Sequence, residues 1–150
     1  MIDEGSVRFI GEVESAGESS TILIYPKFRP GLLGVERYSH LIILYWFHLR
    51  DNEDHRGTLQ VTPPRHPGSP LTGVYACRSP SRPNPIGLTV VELESVDGCR
   101  LNVRGLDALE GSPIVDLKPY LPNGDSVESA RIPDYVGHND TLSQGPHGAR

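Results

Sequence analysis

The sequence predicts an all-β fold, a small barrel or sandwich, and three observations carry that prediction. Glycine and proline number 16 and 14 of 150 residues, too many for long helices, whose interiors both destabilise. Short β-branched runs recur along the chain, each bounded by glycine, proline or a polar turn, as strands are. No stretch sustains the apolar period of an amphipathic helix. At 150 residues the chain supports one domain with a core of its own.

The elements follow in order. Val7–Val13 (VRFIGEV) and Ser20–Tyr25 (STILIY) read as strands. Pro26–Ser39 reads as a loop with at most a turn or two of helix. Leu41–His48 (LIILYWFH) is apolar at nearly every position, the pattern of a strand buried on both faces. Arg50–Arg56 (RDNEDHR) is a charged turn, and Thr58–Thr62 and Gly73–Cys77 are short strands around a proline cluster. Gly87–Val96, Asp97-Gly98 and Arg100–Val103 spell a tight hairpin, in which both turn residues are expected to tolerate positive φ. Ile114–Leu117 is a last strand. The globular domain is expected over residues 1–133, and the small, polar stretch 134–150 as a flexible tail.

Charge narrows the function. The net charge of -5 excludes a protein that coats nucleic acid by bulk charge. The average conceals a reversal. From Arg56 to Val91 there is no acidic residue, while Arg56, Arg65, His66, Arg78 and Arg82 are all there. Lysine occurs only at positions 27 and 118, and arginine grips carboxylates and phosphates through paired hydrogen bonds that lysine cannot make. Seven prolines fall between Pro63 and Pro85 within this same basic stretch. Leu41–Phe47 is too short to span a membrane, and the acidic N-terminus has no secretion signal. Cys77 and Cys99 form neither a disulfide framework nor a metal spacing, and the six histidines show none either. No metal and a cytoplasmic location are the expectations.

Positions 77–88 read CRSPSRPNPIGL. Pro83 and Pro85 push Arg82 and Asn84 out of the helical region, so the loop is expected to be rigid and to present its guanidiniums and amide to a ligand. This segment resembles the TsaA-like (TrmO) family. Leu106-Asp107-Ala108-Leu109-Glu110-Gly111-Ser112-Pro113 and Asp116-Leu117-Lys118-Pro119-Tyr120-Leu121-Pro122 resemble it too, as do Tyr38-Ser39-His40 through Trp46-Phe47-His48 and Ile10-Gly11-Glu12-Val13. Together they cover about positions 8–126.

The resemblance implies a small closed or nearly closed β-barrel with short helical turns and a homodimeric assembly. It implies binding of S-adenosyl-L-methionine and methylation of N6 of threonylcarbamoyladenosine at position 37, in the anticodon loop of tRNA. The cofactor contacts it implies are His48, Leu49, Arg78, Leu88, Asp107, Ala108, Leu109 and Glu110. These residue types suit that ligand: arginine its carboxylate, an acidic turn its ribose diol, apolar groups its adenine. A sulfonium is already an activated leaving group, so no metal is needed and positioning supplies much of the catalysis. A base would help a weakly nucleophilic nitrogen, and Asp107, His48, Lys118 and Tyr120 are the candidates. A target in a single-stranded loop can be read without opening a duplex, with Arg56, Arg65, Arg82 and Asn84 as expected RNA contacts whose binding is salt-sensitive.

The chain departs from the family pattern in three places. Longer members carry a Pro-Arg-Gln cofactor contact after the first strand, whereas Val13 here runs through ESAGESS into the next strand. Glu110 stands where aspartate is usual. The chain also ends without the additional C-terminal domain of longer members. Two further readings stay open: methylation of another RNA position or a small molecule, and non-catalytic binding of S-adenosylmethionine.

Overall fold

The structure, a computed structural model, describes residues 1–137. Its strands are β1 (Gly11–Ser15), β2 (Ser19–Ile24), β3 (His40–Trp46), β4 (Gln60–Val61), β5 (Thr72–Gly73), β6 (Ile86–Asp97), β7 (Arg100–Arg104) and β8 (Pro113–Pro119). Six of them form a closed barrel in the order β1-β2-β7-β6-β3-β8, and β4 and β5 form a separate two-stranded ribbon. Every pairing is antiparallel. The expected closed all-β barrel with short helical turns is what the chain forms.

Alternation along each strand fills the barrel. Val13, Ile22, Ile24, Leu41, Ile43, Val91, Leu101, Val103 and Ile114 are fully buried inside, as period-two side chains on one face must be. β3 corrects one expectation. Leu41, Ile43 and Tyr45 face the interior, whereas Ile42 and Leu44 are only half-buried. They pair with Val90 and Leu88 of β6 on the outside of the barrel, where nothing among the described residues covers them fully.

Other boundaries also shift. The first strand begins at Gly11 rather than Val7, because Val7–Phe9 meet no partner strand; Ile10 is the first residue tied in, its amide donating to the Ile114 carbonyl at 2.9 Å. The expected strand Gly73–Cys77 keeps only Gly73 in β5; Val74–Ala76 is a turn of 3-10 helix. The Val74 carbonyl accepts from the Arg82 guanidinium at 2.5 Å, so a side chain 8 positions away replaces a ladder partner. The hairpin between β6 and β7 is present, but Asp97 pairs with Arg100, leaving Gly98 and Cys99 as its central residues. Only Gly98 has positive φ (62°), the pattern of a type II′ turn.

The charged turn after β3 becomes a short 3-10 segment, His48–Arg50, and a one-turn helix, Glu53–Arg56. Asn52 caps that helix, its side-chain oxygen accepting from the His55 amide at 2.9 Å. Pro26–Ser39 holds two 3-10 segments, as expected, and Leu32 tucks against the core. A second one-turn helix, Pro122–Asp125, follows β8. Among the described residues no helix is long and apolar enough to cross a membrane. The expected tail lies outside the described residues from position 138 onward.

Candidate ligand recess at the end of β3

β3 runs out of the barrel at Trp46-Phe47, and the chain turns there through His48 and Leu49. The turn between β7 and β8 comes alongside: Leu106 and Asp107 are buried, and Leu109-Glu110-Gly111-Ser112 folds back with the Ser112 amide donating to the Leu109 carbonyl at 3.0 Å. Gly111 sits at φ +88°, the left-handed position such a turn gives to glycine. Its amide donates to the Val13 carbonyl at 2.8 Å, pinning the turn to β1. Between the two segments lies a recess of about 200 Å³, lined by Tyr45, Phe47, His48, Leu49, Asp107, Ala108, Leu109 and Ser112.

Tyr45 ties the two walls together. Its hydroxyl donates to the Asp107 carbonyl oxygen at 2.8 Å, fixing the backbone that bears the carboxylate. Burial pushes the phenol up to about 12, so it remains a neutral donor across the working pH range. The charges of Asp107, Arg65 and Arg78 also act on it, which places both guanidiniums near this end of the barrel. Tyr45 packs edge-on against Phe47, centroids 5.4 Å apart. Gly87 makes room for both rings: a Cβ there would lie 2.6 Å from Cζ of Tyr45 and 2.8 Å from Cζ of Phe47.

Sequence reasoning reached five lining residues (His48, Leu49, Asp107, Ala108, Leu109) and missed Tyr45, Phe47 and Ser112. A glycine inside the β6 pattern, opposite an aromatic run, was the available signal, since such a glycine often marks a close approach. Among the other expected cofactor contacts, Glu110 is exposed on the turn beside the recess. Arg78 is exposed and forms no hydrogen bond or ion pair among the described residues. Leu88 pairs with Leu44 and is turned to the outer face of the barrel.

Two of the expected RNA contacts are used inside the molecule. Arg82 points back into its own loop, donating to the carbonyls of Val74 (2.5 Å), Ser79 (3.0 Å) and Cys77 (3.4 Å). Arg56 donates to the Pro83 carbonyl at 2.8 Å, pairs with Asp51 at 3.0 Å, reaches Asn84 at 3.5 Å and lies over the Trp46 ring. The proline loop is therefore stapled by its own arginine and by one from the preceding helix. A third brace lies beneath it. Arg50 donates to the buried Ser81 hydroxyl at 2.9 Å, and that hydroxyl lies 2.7 Å from Nδ1 of His55. Guanidinium only donates, so Ser81 Oγ accepts from Arg50, while donor and acceptor in the Ser81–His55 contact follow the histidine tautomer. Arg65 is exposed in the Pro63–Pro70 segment.

The candidate bases separate by position. Asp107 (4% exposed) and His48 line the recess. Lys118 pairs with Asp116 at 3.2 Å on the outer face. The Tyr120 amide donates to the His40 carbonyl, and its ring packs edge-on against His40 at the opposite end of β3. Four residues of strand, about 13 Å, separate Lys118 from Ile114, which pairs with Tyr45. Among the described residues no group of three or more His, Cys, Asp or Glu could hold a metal ion.

Barrel and recess define a class: a small antiparallel β-barrel with a ligand site at the mouth between two loops, unlike a doubly wound nucleotide-binding sheet. Residues 12–126 match the tRNA-methyltransferase O N-terminal domain family, and the chain belongs to that family. An S-adenosyl-L-methionine-binding protein of Archaeoglobus fulgidus is 46% identical over 108 residues, 72% of this chain and 73% of that protein. Another protein of that organism, described as a probable S-adenosyl-L-methionine-binding protein, is 50% identical over 115 residues, 77% of this chain but 30% of its own length. The mouse tRNA (adenine(37)-N6)-methyltransferase is 40% identical over 109 residues, and the chain spans 23% of it. The crystal structure of TrmO from Pseudomonas aeruginosa superposes with a TM-score of 0.68 at 31% identity, covering 86% of this chain and 61% of that one.

Proposed function

We propose that this chain binds S-adenosyl-L-methionine in the recess and uses it to methylate N6 of threonylcarbamoyladenosine at position 37 of tRNA. The observation that carries the reading is one juxtaposition. A buried carboxylate and an aromatic wall shaped by Gly87 meet at one end of the barrel, within electrostatic reach of the exposed Arg78. The residues present fit the cofactor: Asp107 for hydroxyls of the ribose, Tyr45, Phe47 and Leu109 against the adenine, Arg78 for the carboxylate. Relatives described as binding this cofactor and as methylating adenine 37 of tRNA support the same assignment. A tRNA substrate sets the compartment as the cytoplasm.

When bound, S-adenosylmethionine would supply a methyl group activated on a sulfonium, with a neutral thioether as leaving group. The chain supplies position and proton transfer. Arg78 and Asp107 hold the two polar ends, so the methyl carbon has one orientation relative to the recess mouth. His48, exposed at the rim, takes the nitrogen's proton, while Asp107 is committed to the cofactor. The tight turn from β1 to β2 has no room for the Pro-Arg-Gln contact of longer members, so more of the binding falls on Arg78.

The assembly is a homodimer in this reading. The recess is open to solvent at the mouth of the barrel, where a second copy would extend its walls. The outer stripe Ile42, Leu44, Leu88 and Val90, flanked by Lys118 and Asp116, has the apolar centre and charged rim of an isologous interface.

Calorimetric titration with S-adenosylmethionine tests the first step, and absence of binding would sink the reading. Incubation with tRNA from cells lacking the modification, followed by nucleoside mass spectrometry, tests the second. A one-methyl gain on threonylcarbamoyladenosine is expected. Cofactor binding without that gain would leave another acceptor or a non-catalytic binder.

A further inference from the structure

The Arg82 staple has a consequence for what the loop shows to solvent. Three carbonyls, those of Val74, Cys77 and Ser79, converge on one guanidinium, and the Val74 side chain is fully buried. Between these anchors, Tyr75 and Arg78 are left outside. Tyr75 is 80% exposed, about twice the other exposed aromatics, Tyr38 (41%) and Phe9 (38%). Phe9 at least packs against Trp46; the Tyr75 ring makes no ring contact among the described residues.

Its surroundings share that character. The Val74 amide donates to the Leu59 carbonyl at 2.9 Å, which sets Tyr75 against the β4–β5 ribbon, where Leu59 (58%) and Leu71 (66%) are also exposed. All three lie in the segment that holds no acidic residue from Arg56 to Val91. Arg78, three positions on, makes no hydrogen bond or ion pair among the described residues, and its charge acts on Tyr45 of the recess. A rigid loop presenting an aromatic face beside free positive charge fits an unpaired nucleobase, whose π-face stacks while its phosphates stay near the arginines. An acidic or apolar peptide would make poorer use of the ring.

We propose that Tyr75 is a stacking platform for an unpaired base of the RNA substrate next to the one being methylated, with Leu59 and Leu71 forming the floor beside it. The proposal rests on the functional reading above. Stacking explains recognition of a loop, since it depends on the base being unpaired rather than on its identity.

The test compares Tyr75→Ala and Tyr75→Phe in the full chain with an anticodon stem-loop RNA, measuring RNA affinity, methylation kinetics, S-adenosylmethionine affinity and sedimentation. Tyr75→Ala is expected to weaken RNA binding and raise KM roughly 5- to 100-fold, the range for one stacked base. Cofactor affinity and melting temperature should stay unchanged, and Tyr75→Phe should remain near the parent. Unchanged RNA affinity in Tyr75→Ala would overturn the proposal, and an altered sedimentation with it would give the patch to a second copy. Equal losses in Tyr75→Phe and Tyr75→Ala would also overturn it, because then the hydroxyl rather than the ring is recognised. If the parent chain binds S-adenosylmethionine but not the RNA, the functional reading itself falls.

Discussion

Tyr45 does two jobs with one side chain: its ring fills the top of the barrel and its hydroxyl holds the Asp107 carbonyl. Tyr45→Phe keeps the first job and abandons the second. Leaving a buried carbonyl without its donor costs about 1–3 kcal/mol, so a lower melting temperature is expected, with S-adenosylmethionine affinity about tenfold weaker by calorimetry. The same hydroxyl has a signature in base. Its pKa is raised to about 12 from the ordinary value near 10, so the protonated form is favoured by folding. The associated stability is complete below about pH 10 and is lost between there and pH 12, roughly 2–3 kcal/mol by linkage. Spectrophotometric titration should show one tyrosine ionising late, and Tyr45→Phe should remove that step. Arg78 gives the opposite kind of residue prediction. Arg78→Ala should weaken cofactor binding by tenfold or more and leave thermal stability unchanged, because the side chain is exposed and makes no hydrogen bond or ion pair among the described residues.

Among the elements, the loop from Val74 to Pro85 is where local reading and tertiary structure part company. Its prolines do confer rigidity, as the spacing implies. Yet Arg82 and Arg56, whose positions in a basic, proline-rich segment mark them as ligand-facing, are the loop's internal fasteners. Nothing local could reveal this: carbonyls 3–8 positions away become partners only when the backbone curls around the guanidinium. Arg82→Ala should therefore act as a structural mutation. Losing a charged donor to three carbonyls costs about 2–4 kcal/mol, and limited proteolysis should cut within residues 74–85 where the parent resists. If that variant stayed stable and lost only RNA affinity, the staple would be the wrong description. Strand existence, by contrast, was legible wherever a run alternated or ended in an Asp-Gly signal, as β2, β6 and β7 show. Val7–Phe9 looked like a strand because β-propensity says nothing about whether a neighbour exists to pair with.

The whole molecule buries one face of each of the six barrel strands inside and leaves an apolar stripe of β3 and β6 outside. A dimer across this stripe predicts that Leu44→Glu, which sets a charge at its centre, converts the chain to a monomer by sedimentation. Methylation should fall with assembly, while the far-ultraviolet spectrum keeps its β character. A dimer that survives the substitution would place the interface elsewhere.

The linear pattern by itself determined the class of fold and the acid-free arginine segment. Those follow from short-range chemistry: which residues tolerate turns, which suit a pleated half-buried surface, which carry charge. Tertiary structure alone decided which side of β3 is inside, that Tyr45 and Phe47 rather than Leu88 face the recess, and which arginines fasten the proline loop. Each of those depends on closing a six-stranded ring, because a side chain's direction and partners are fixed only once the neighbouring strands are in register.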